Sequence, residues 1–231
     1  RLRPESHRPL YDLPFVFWLQ MLSTIGCWLT GAAIFAFRPD QASARYSAAA
    51  GFGVLLMAAS AAVYTTRELA LPAALFRGLA GINHFGALFT IGAFVTVFWH
   101  YPQSLGRARP GLGAVPASAV DFLQLQPFGN LYQHSLLVAG YAAAIVMAVT
   151  QWRTSRGDPL RRAALQWFFL SWFVGSGAFL VLVLVPALAG IDSGSLQAYA
   201  FGMLLLVSMG LALGISRYRL YDLETWWFRA V

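Results

Sequence analysis

Residues 78–106 read GLAGINHFGALFTIGAFVTVFWHYPQSLG, which is a run of 29 residues without a charged side chain between Arg77 and Arg107. A helix needs about 20 apolar residues to cross the hydrocarbon core of a bilayer. This run is therefore long enough for one complete crossing, and it predicts a membrane-spanning helix near residues 80–101.

Five further stretches between consecutive charges contain 21 to 31 residues each. Together with the first run they predict six spans, near 13–37, 46–66, 80–101, 131–152, 164–187 and 196–216. Tryptophans near the ends of these spans are typical of membrane interfaces; they are Trp18, Trp99, Trp152, Trp167 and Trp172. Small residues recur along the second span, and they favour close contact between helices inside a bundle.

The composition agrees with this pattern. Of the 231 residues, 58% are hydrophobic and 11% are charged, and the mean hydropathy is +0.61, whereas soluble domains carry about 25% charged residues. These values exclude a soluble enzyme and a disordered chain, and the single cysteine, Cys27, excludes a disulfide scaffold. All 16 basic residues are arginines in a chain of net charge +7, and they lie in short loops, as in the cytoplasmic loops of membrane proteins. We therefore expect a lipid bilayer as partner, and no nucleic acid.

The segment from Pro110 to Gly129, PGLGAVPASAVDFLQLQPFG, leaves the number of spans open. Three prolines interrupt it and Asp121 charges it, so it fits a seventh span, a re-entrant piece or a surface loop. If a translocated domain precedes the chain, the three N-terminal arginines drop out of the positive-inside count. The two sides of the membrane then carry 9 and 4 arginines in the six-span arrangement and 11 and 2 in the seven-span arrangement. We expect an all-α, polytopic transmembrane bundle of seven spans with a cytoplasmic C-terminus, and six spans as the alternative.

Polar residues near the outer ends of the predicted spans are candidates for sensing a ligand. Polar groups in hydrocarbon are costly and should face the interior of the bundle, where the alternative role is interhelical hydrogen bonding. In the seven-span arrangement His84 and His134 both lie in the outer third of the membrane. The candidates are Arg67, Glu68, Asn83, His84, Gln133 and His134. No spacing predicts a metal site, a cofactor site or catalytic residues in this chain.

The C-terminal stretch, RYRLYDLETWWFRAV from Arg217, continues from the last predicted span without glycine or proline. Leu220, Leu223, Trp227 and Val231 share one helical face. This predicts either a rigid helix that transmits movement to a following domain or a helix lying on the lipid surface. The candidate transmission residues are Arg217, Tyr218, Arg219, Leu220, Asp222, Leu223 and Trp227.

Four segments carry a resemblance to a known family: RPLYDLPFVFW (8–18), YTTRELAL (64–71) with GINHFGALF (81–89), QWRTSRGDPLRRAALQWF (151–168) and ISRYRLYDLE (215–224). The chain resembles the membrane sensor region of multi-pass bacterial sensor histidine kinases of the class with an extracytoplasmic N-terminal domain. The resemblance implies a homodimer in the inner membrane, and a dimerisation and phosphoacceptor domain and an ATP-binding domain beyond residue 231. It also implies ATP and Mg²⁺ for that kinase domain, a response regulator as partner, and an unknown small-molecule or peptide signal.

On this basis residues 1–12 are the end of an extracytoplasmic segment or linker, because the chain begins at Arg1 and looks like part of a longer protein. Residues 13–216 are the sensor bundle, and residues 217–231 are a cytoplasmic juxtamembrane signalling helix. The expected function is signal input to a two-component histidine kinase. The alternative is a small, self-contained membrane transporter or membrane enzyme.

Overall fold

The computed structural model describes residues 12–66, 69–106, 129–191, 196–197, 199–210 and 212–213, and these residues form helices and connecting turns with no β-strand. The helices are α1 (Phe15–Phe37), α2 (Ala42–Thr65), α3 (Ala73–His100), α4 (Gly129–Thr154), α5 (Pro159–Phe179), a π-helical turn (Leu180–Leu184), α6 (Val185–Leu188) and α7 (Tyr199–Gly210). Five of them, with α5 and the π turn taken together, are long and apolar enough to cross a membrane, and α7 is a shorter apolar helix.

Helix α1 shows how the bundle is oriented toward its surroundings. Apart from Ile34, its buried residues are polar or small, with Gln20 and Thr24 only 3% and 1% exposed, whereas Leu22 and Phe37 are 67% and 80% exposed. In a soluble protein the large apolar side chains of a helix face the core. The reversed pattern suits a helix whose outer face contacts lipid and whose inner face packs by close approach and hydrogen bonds.

Helices α1, α2 and α3 form a closely packed antiparallel unit. A Cβ atom built on Gly31 would lie 2.8 Å from the Ser47 carbonyl oxygen, and one built on Gly51 would lie 2.8 Å from the Cys27 carbonyl oxygen. The two backbones therefore touch at reciprocal glycines. The prediction that small residues of the second span allow close helix approach is confirmed.

Helix α4 runs parallel to α3, although it follows α3 in the chain. Near the middle of both helices, a Cβ on Gly140 would lie 2.8 Å from Ile91. Toward their ends, the Gln151 side chain donates to the Phe98 carbonyl. Contacts thus advance in the same direction along both helices. The chain between Gly106 and Gly129 consequently joins opposite ends of the bundle.

Helices α5 and α7 complete the bundle. Helix α5 returns antiparallel to α4, with Trp152 near Phe169 (6.1 Å between ring centroids) and Tyr141 hydrogen-bonded to Ser176. Helix α7 runs antiparallel to α5, since Phe201 packs on Phe179 at 5.5 Å and a Cβ on Gly210 would lie 3.1 Å from the Trp167 carbonyl oxygen.

Helices α1 and α7 are parallel. Gly202 lies opposite Ser23, and a Cβ on Gly26 would be 3.0 Å from Leu205. We call the end of the bundle that holds the beginnings of α1 and α7 the first end, and the end that holds the turn between α4 and α5 the second end.

The π turn ends two residues before a proline, Pro186. Pro186 has no N–H, so it cannot donate to the Leu182 carbonyl as an α-helix requires, and the Val185 N–H bonds to Leu180, five residues back. The helix ends at Gly190, which has φ +72°, and the Ile191 N–H donates to the Pro186 carbonyl at 2.8 Å. This is the hydrogen bond of a Schellman motif, for which a left-handed glycine is favoured.

Several sequence predictions change or stay open. Helix α3 begins at Ala73 rather than near residue 80, and α5 begins at Pro159 rather than near 164. Trp172 is 2% exposed and lies in the core, so its predicted interfacial position is wrong. The doubtful span at 110–129 lies, except for Gly129, outside the described residues, as do residues 1–11 and the tail 217–231.

Candidate functional site

Asn83 lies on the face of α3 that contacts α2. Its side chain is buried, 7% exposed, and its amide Nδ2 donates to the Met57 carbonyl at 2.7 Å. Gly86, one turn further along, allows this contact because a Cβ there would lie 2.5 Å from the Met57 nitrogen. Asn83 thus makes the interhelical hydrogen bond that was the structural alternative to a sensing role.

His84 and His134 lie at similar depths in the bundle. His84 is half-buried in α3. Ile91 and Gly140 are in contact and therefore mark one level of α3 and α4. His84 lies seven residues, or about 10 Å, from Ile91 toward the first end, and His134 lies six residues, or about 9 Å, from Gly140 in the same direction. The parallel register of α3 and α4 therefore brings their backbones to one level. The side chains of Gln133 and His134 are outside the described part, so convergence of the two imidazoles stays a prediction.

Arg67 and Glu68 lie outside the described residues. The positions on either side form a tight connection, in which the Leu69 N–H donates to the Thr66 carbonyl at 3.1 Å and Ala70 has φ +43°. Nearby, Tyr64 packs edge-on against Phe76 at 5.4 Å and is hydrogen-bonded to Gln197, two residues before α7. The first end is thus held together by α2, α3 and the start of α7.

The centre of the bundle contains two small cavities. One, of about 10 Å³, lies between α1, α2, α3 and α7 beside Ser47 and Ser208. The other, of about 20 Å³, lies between α2, α3, α4, α5 and α7 and is lined in part by Thr90, Tyr141 and Ser176. A water molecule needs about 10–15 Å³ and small-molecule sites about 300–1,000 Å³. These cavities therefore have room for a water or two, and not for a metabolite.

A buried amide organises the second end of the bundle. Gln151 is 0% exposed, and its Nε2 donates to the carbonyl oxygens of Phe98 and Gln103, each at 2.7 Å. The Phe98 carbonyl needs this donor because the residue four positions later is Pro102, which has no N–H. Helix α4 therefore caps the end of α3 through one side chain.

The turn between α4 and α5 is tied to the same place. Asp158 accepts a hydrogen bond from the Arg161 N–H at 3.1 Å and pairs with its guanidinium at 2.9 Å. This is the N-cap position of α5, followed by a proline at its first residue, both favoured there. Arg161 also donates to the Gln103 side chain, so the end of α3, the turn and α5 form one network.

Two further contacts surround this network. The Arg162 guanidinium lies 4.5 Å above the centroid of the Trp152 ring. Tyr46 of α2 stacks on His100 of α3, with 5.5 Å between centroids and 10° between planes. At the second end, α2, α3, α4 and α5 are thus joined by polar or aromatic contacts.

Sequence reasoning did not single out Gln151, Gln103 or Arg162 for these roles. The sequence feature that could have indicated Gln151 is the position of a glutamine at the end of a long apolar run. It begins the segment QWRTSRGDPLRRAALQWF, which was considered for its arginines and its family resemblance. The proposed transmission residues 217–231 lie outside the described part. Among the described residues, no three His, Cys, Asp or Glu side chains come together as a metal site would require.

Together, the apolar outer face and the internal hydrogen bonds define a helical bundle with the properties of a membrane protein. Comparison of the chain with protein-family models, with curated proteins and with solved structures gave no match.

Proposed function

We propose that the chain is the membrane-embedded signal-input module of a two-component sensor histidine kinase. The observation that supports this best is the common direction of α1 and α7. A chain that enters the bundle at one end and leaves it at the other connects the two sides of a membrane. A receptor that carries information across the bilayer needs this connection.

The proposed topology has seven crossings. Helices that follow one another through a membrane alternate in direction, yet α3 and α4 are parallel, and so are α1 and α7, although four described helices long enough to cross, α2 to α5, lie between α1 and α7. Both relations are met by one additional crossing between Gly106 and Gly129. The 22 residues 107–128 suffice for it, because a helix of that length rises about 33 Å against a hydrocarbon core of about 30 Å.

The charge distribution supports a cytoplasmic second end. Six of the seven arginines in the described part lie there, and the exception is Arg77 in the first half of α3. Arginine-rich short loops remain in the cytoplasm during insertion. The first end would then face outward, with the candidate sensing residues Arg67, Glu68, Asn83, His84, Gln133 and His134 in the outer half of the bundle.

Signal transfer in this proposal depends on two arrangements of the bundle with different affinity for the signal, because a ligand shifts an equilibrium only by that difference. The network of Gln151, Gln103 and Arg161 joins α3 to the α4–α5 hairpin on the inner side. A change at the outer half would reach the inner end as a rigid movement of these helices. The stretch from Arg217 would pass it to the kinase, as a homodimer acting on a response regulator.

The topology is tested by reporter fusions after Ala70, Gln126 and Arg156. Seven crossings place the first two outside and the third inside. In the six-span alternative Ala70 and Gln126 lie on opposite sides of the membrane, so that result would refute the proposal. No observation on the described residues favours the transporter or enzyme alternative.

The signalling function is tested in the full-length gene, beginning with the sequence beyond Val231, which must encode a phosphoacceptor helical pair and a nucleotide-binding domain. Deleting two residues after Arg219 rotates a continuous helix by about 200°, whereas deleting seven restores its phase within about 20°. We expect the first deletion to change autophosphorylation with ATP and Mg²⁺ and the second to preserve regulation. Equal behaviour of both variants would argue against a rigid signalling helix.

A further inference from the structure

The second end of the bundle is strongly basic. It carries two aspartates, Asp40 and Asp158, and six arginines in the described part, which leaves a net charge of +4; the arginines are Arg38, Arg45, Arg153, Arg156, Arg161 and Arg162. The described residues at the first end, Asp12 and Arg77, have no net charge. An excess of this size attracts anions to one side of the bundle only.

Two neighbouring arginines at this end differ in their partners. The charge of Arg161 is balanced by Asp158 at 2.9 Å, and its guanidinium also bonds to Gln103. Arg162 stacks on Trp152, and its Nε has no hydrogen-bond partner among the residues described. This Nε is also buried, so it is an unsatisfied donor; a phosphate oxygen at the edge of the guanidinium would satisfy it, while Trp152 covers the face.

The surroundings of Arg162 have the features of a lipid site. Arg153 at the end of α4 and Arg156 in the following turn are exposed and add two positive charges. Below Trp152 toward the bilayer centre, Phe169 follows at 6.1 Å, and Phe173, 48% exposed, lies 6.4 Å beyond Phe169. A basic rim therefore continues into an aromatic wall on the outer surface between α4 and α5. A free phosphate would use only the rim, whereas a phospholipid would use both.

We propose that Arg162, together with Arg153 and Arg156, binds the phosphate of an anionic phospholipid, with an acyl chain lying along Phe169 and Phe173. The proposal rests on the membrane embedding in the proposed function and is independent of the kinase. It assigns the segment 151–168 a second role, in which the loop anchors the inner end of the α4–α5 hairpin to the lipid headgroups.

The test uses the purified 231-residue chain in detergent with phosphatidylglycerol or phosphatidylcholine, and native mass spectrometry to measure the bound fraction. We expect preferential binding of phosphatidylglycerol. Since each basic residue near an anionic surface contributes about 1 kcal/mol, Arg162→Gln should weaken binding about fivefold, and Arg156→Gln, at an exposed position, should do so without affecting the fold. Arg77→Gln makes the same charge change at the first end and should leave binding unchanged.

Three results would overturn the proposal: equal binding of both lipids, equal weakening by Arg77→Gln, or displacement of phosphatidylglycerol by millimolar inorganic phosphate. The last result would indicate a site for soluble anions. Loss of lipid preference with an unchanged response to the deletions after Arg219 would refute this inference alone, since the binding assay contains no kinase domain.

Discussion

Replacing Gln151 by methionine tests whether a single amide holds the second end of the bundle together. The substitution keeps the length of the side chain and removes its hydrogen bonds to the Phe98 and Gln103 carbonyls, each 2.7 Å long. No other donor can serve Phe98 from within α3, because Pro102 occupies the position that would supply it.

The expected cost follows from these contacts. Hydrogen bonds between membrane helices contribute about 0.6 kcal/mol on average and up to about 1.7, and a buried group left without a partner costs about 1–3 kcal/mol. Part of this is recovered, because the Gln151 Oε1 is itself buried without a partner among the described residues. We therefore expect the free energy of unfolding to fall by about 1–2 kcal/mol, or roughly 5- to 30-fold in the unfolding equilibrium.

Cys27 provides the assay, because it is the sole cysteine and is 0% exposed. In mixed micelles of rising sodium dodecyl sulfate content, a thiol-reactive dye labels Cys27 only when the bundle opens. Gln166→Met is the matched control, since Gln166 is exposed on α5. The reasoning is refuted if Gln151→Met raises the labelling rate no more than Gln166→Met does.

Three further predictions separate packing from local helix geometry in the same assay. Gly86→Ala should lower the free energy of unfolding by about 1–3 kcal/mol, because its Cβ would lie 2.5 Å from the α2 backbone. Gly78→Ala, with open space around it, should be neutral or stabilising. Equal effects of the two substitutions would contradict the close packing of α2 and α3. Asp158→Ala should cost about 1 kcal/mol through loss of the N-cap, and Asp158→Ser should recover most of it, unless the partly exposed ion pair with Arg161 is the main contribution. Gly190→Ala should cost about 1 kcal/mol because its φ is +72°, and an unchanged midpoint would show that this helix end does not form in the folded protein.

The positions of the helices followed from charge-free runs, because lipid excludes charge over a fixed thickness. The ends were less predictable. Arg77 lies inside α3 although it was taken as a boundary, since a long arginine side chain can reach the interface from within a helix. Pro159 begins α5 for the related reason that Asp158 caps it, so the charges of Arg161 and Arg162 lie within the first turn.

The direction of the helices and the hydrogen-bond network at the second end could not be predicted from the sequence. Trp172 looked interfacial, but it packs against Phe98 and Tyr141 in the core, which depends on how α5 is rotated. Gln151 likewise looks like any polar residue near a span end, and its role arises only because α4 is parallel to α3. Such relations depend on contacts between distant segments, whereas composition and spacing describe one segment at a time.

The surface of α1, with Leu22 and Phe37 outward and Gln20 and Thr24 inward, has a practical consequence for engineering. A water-soluble analogue of this bundle would be obtained by substituting hydrophilic residues at the outward-facing positions and keeping every inward-facing residue. Moving the outward apolar residues of α1 to its inner face would instead disrupt the fold, because α1 contacts α2 through the backbone at Gly31 and through the hydrogen bonds of Gln20 and Thr24.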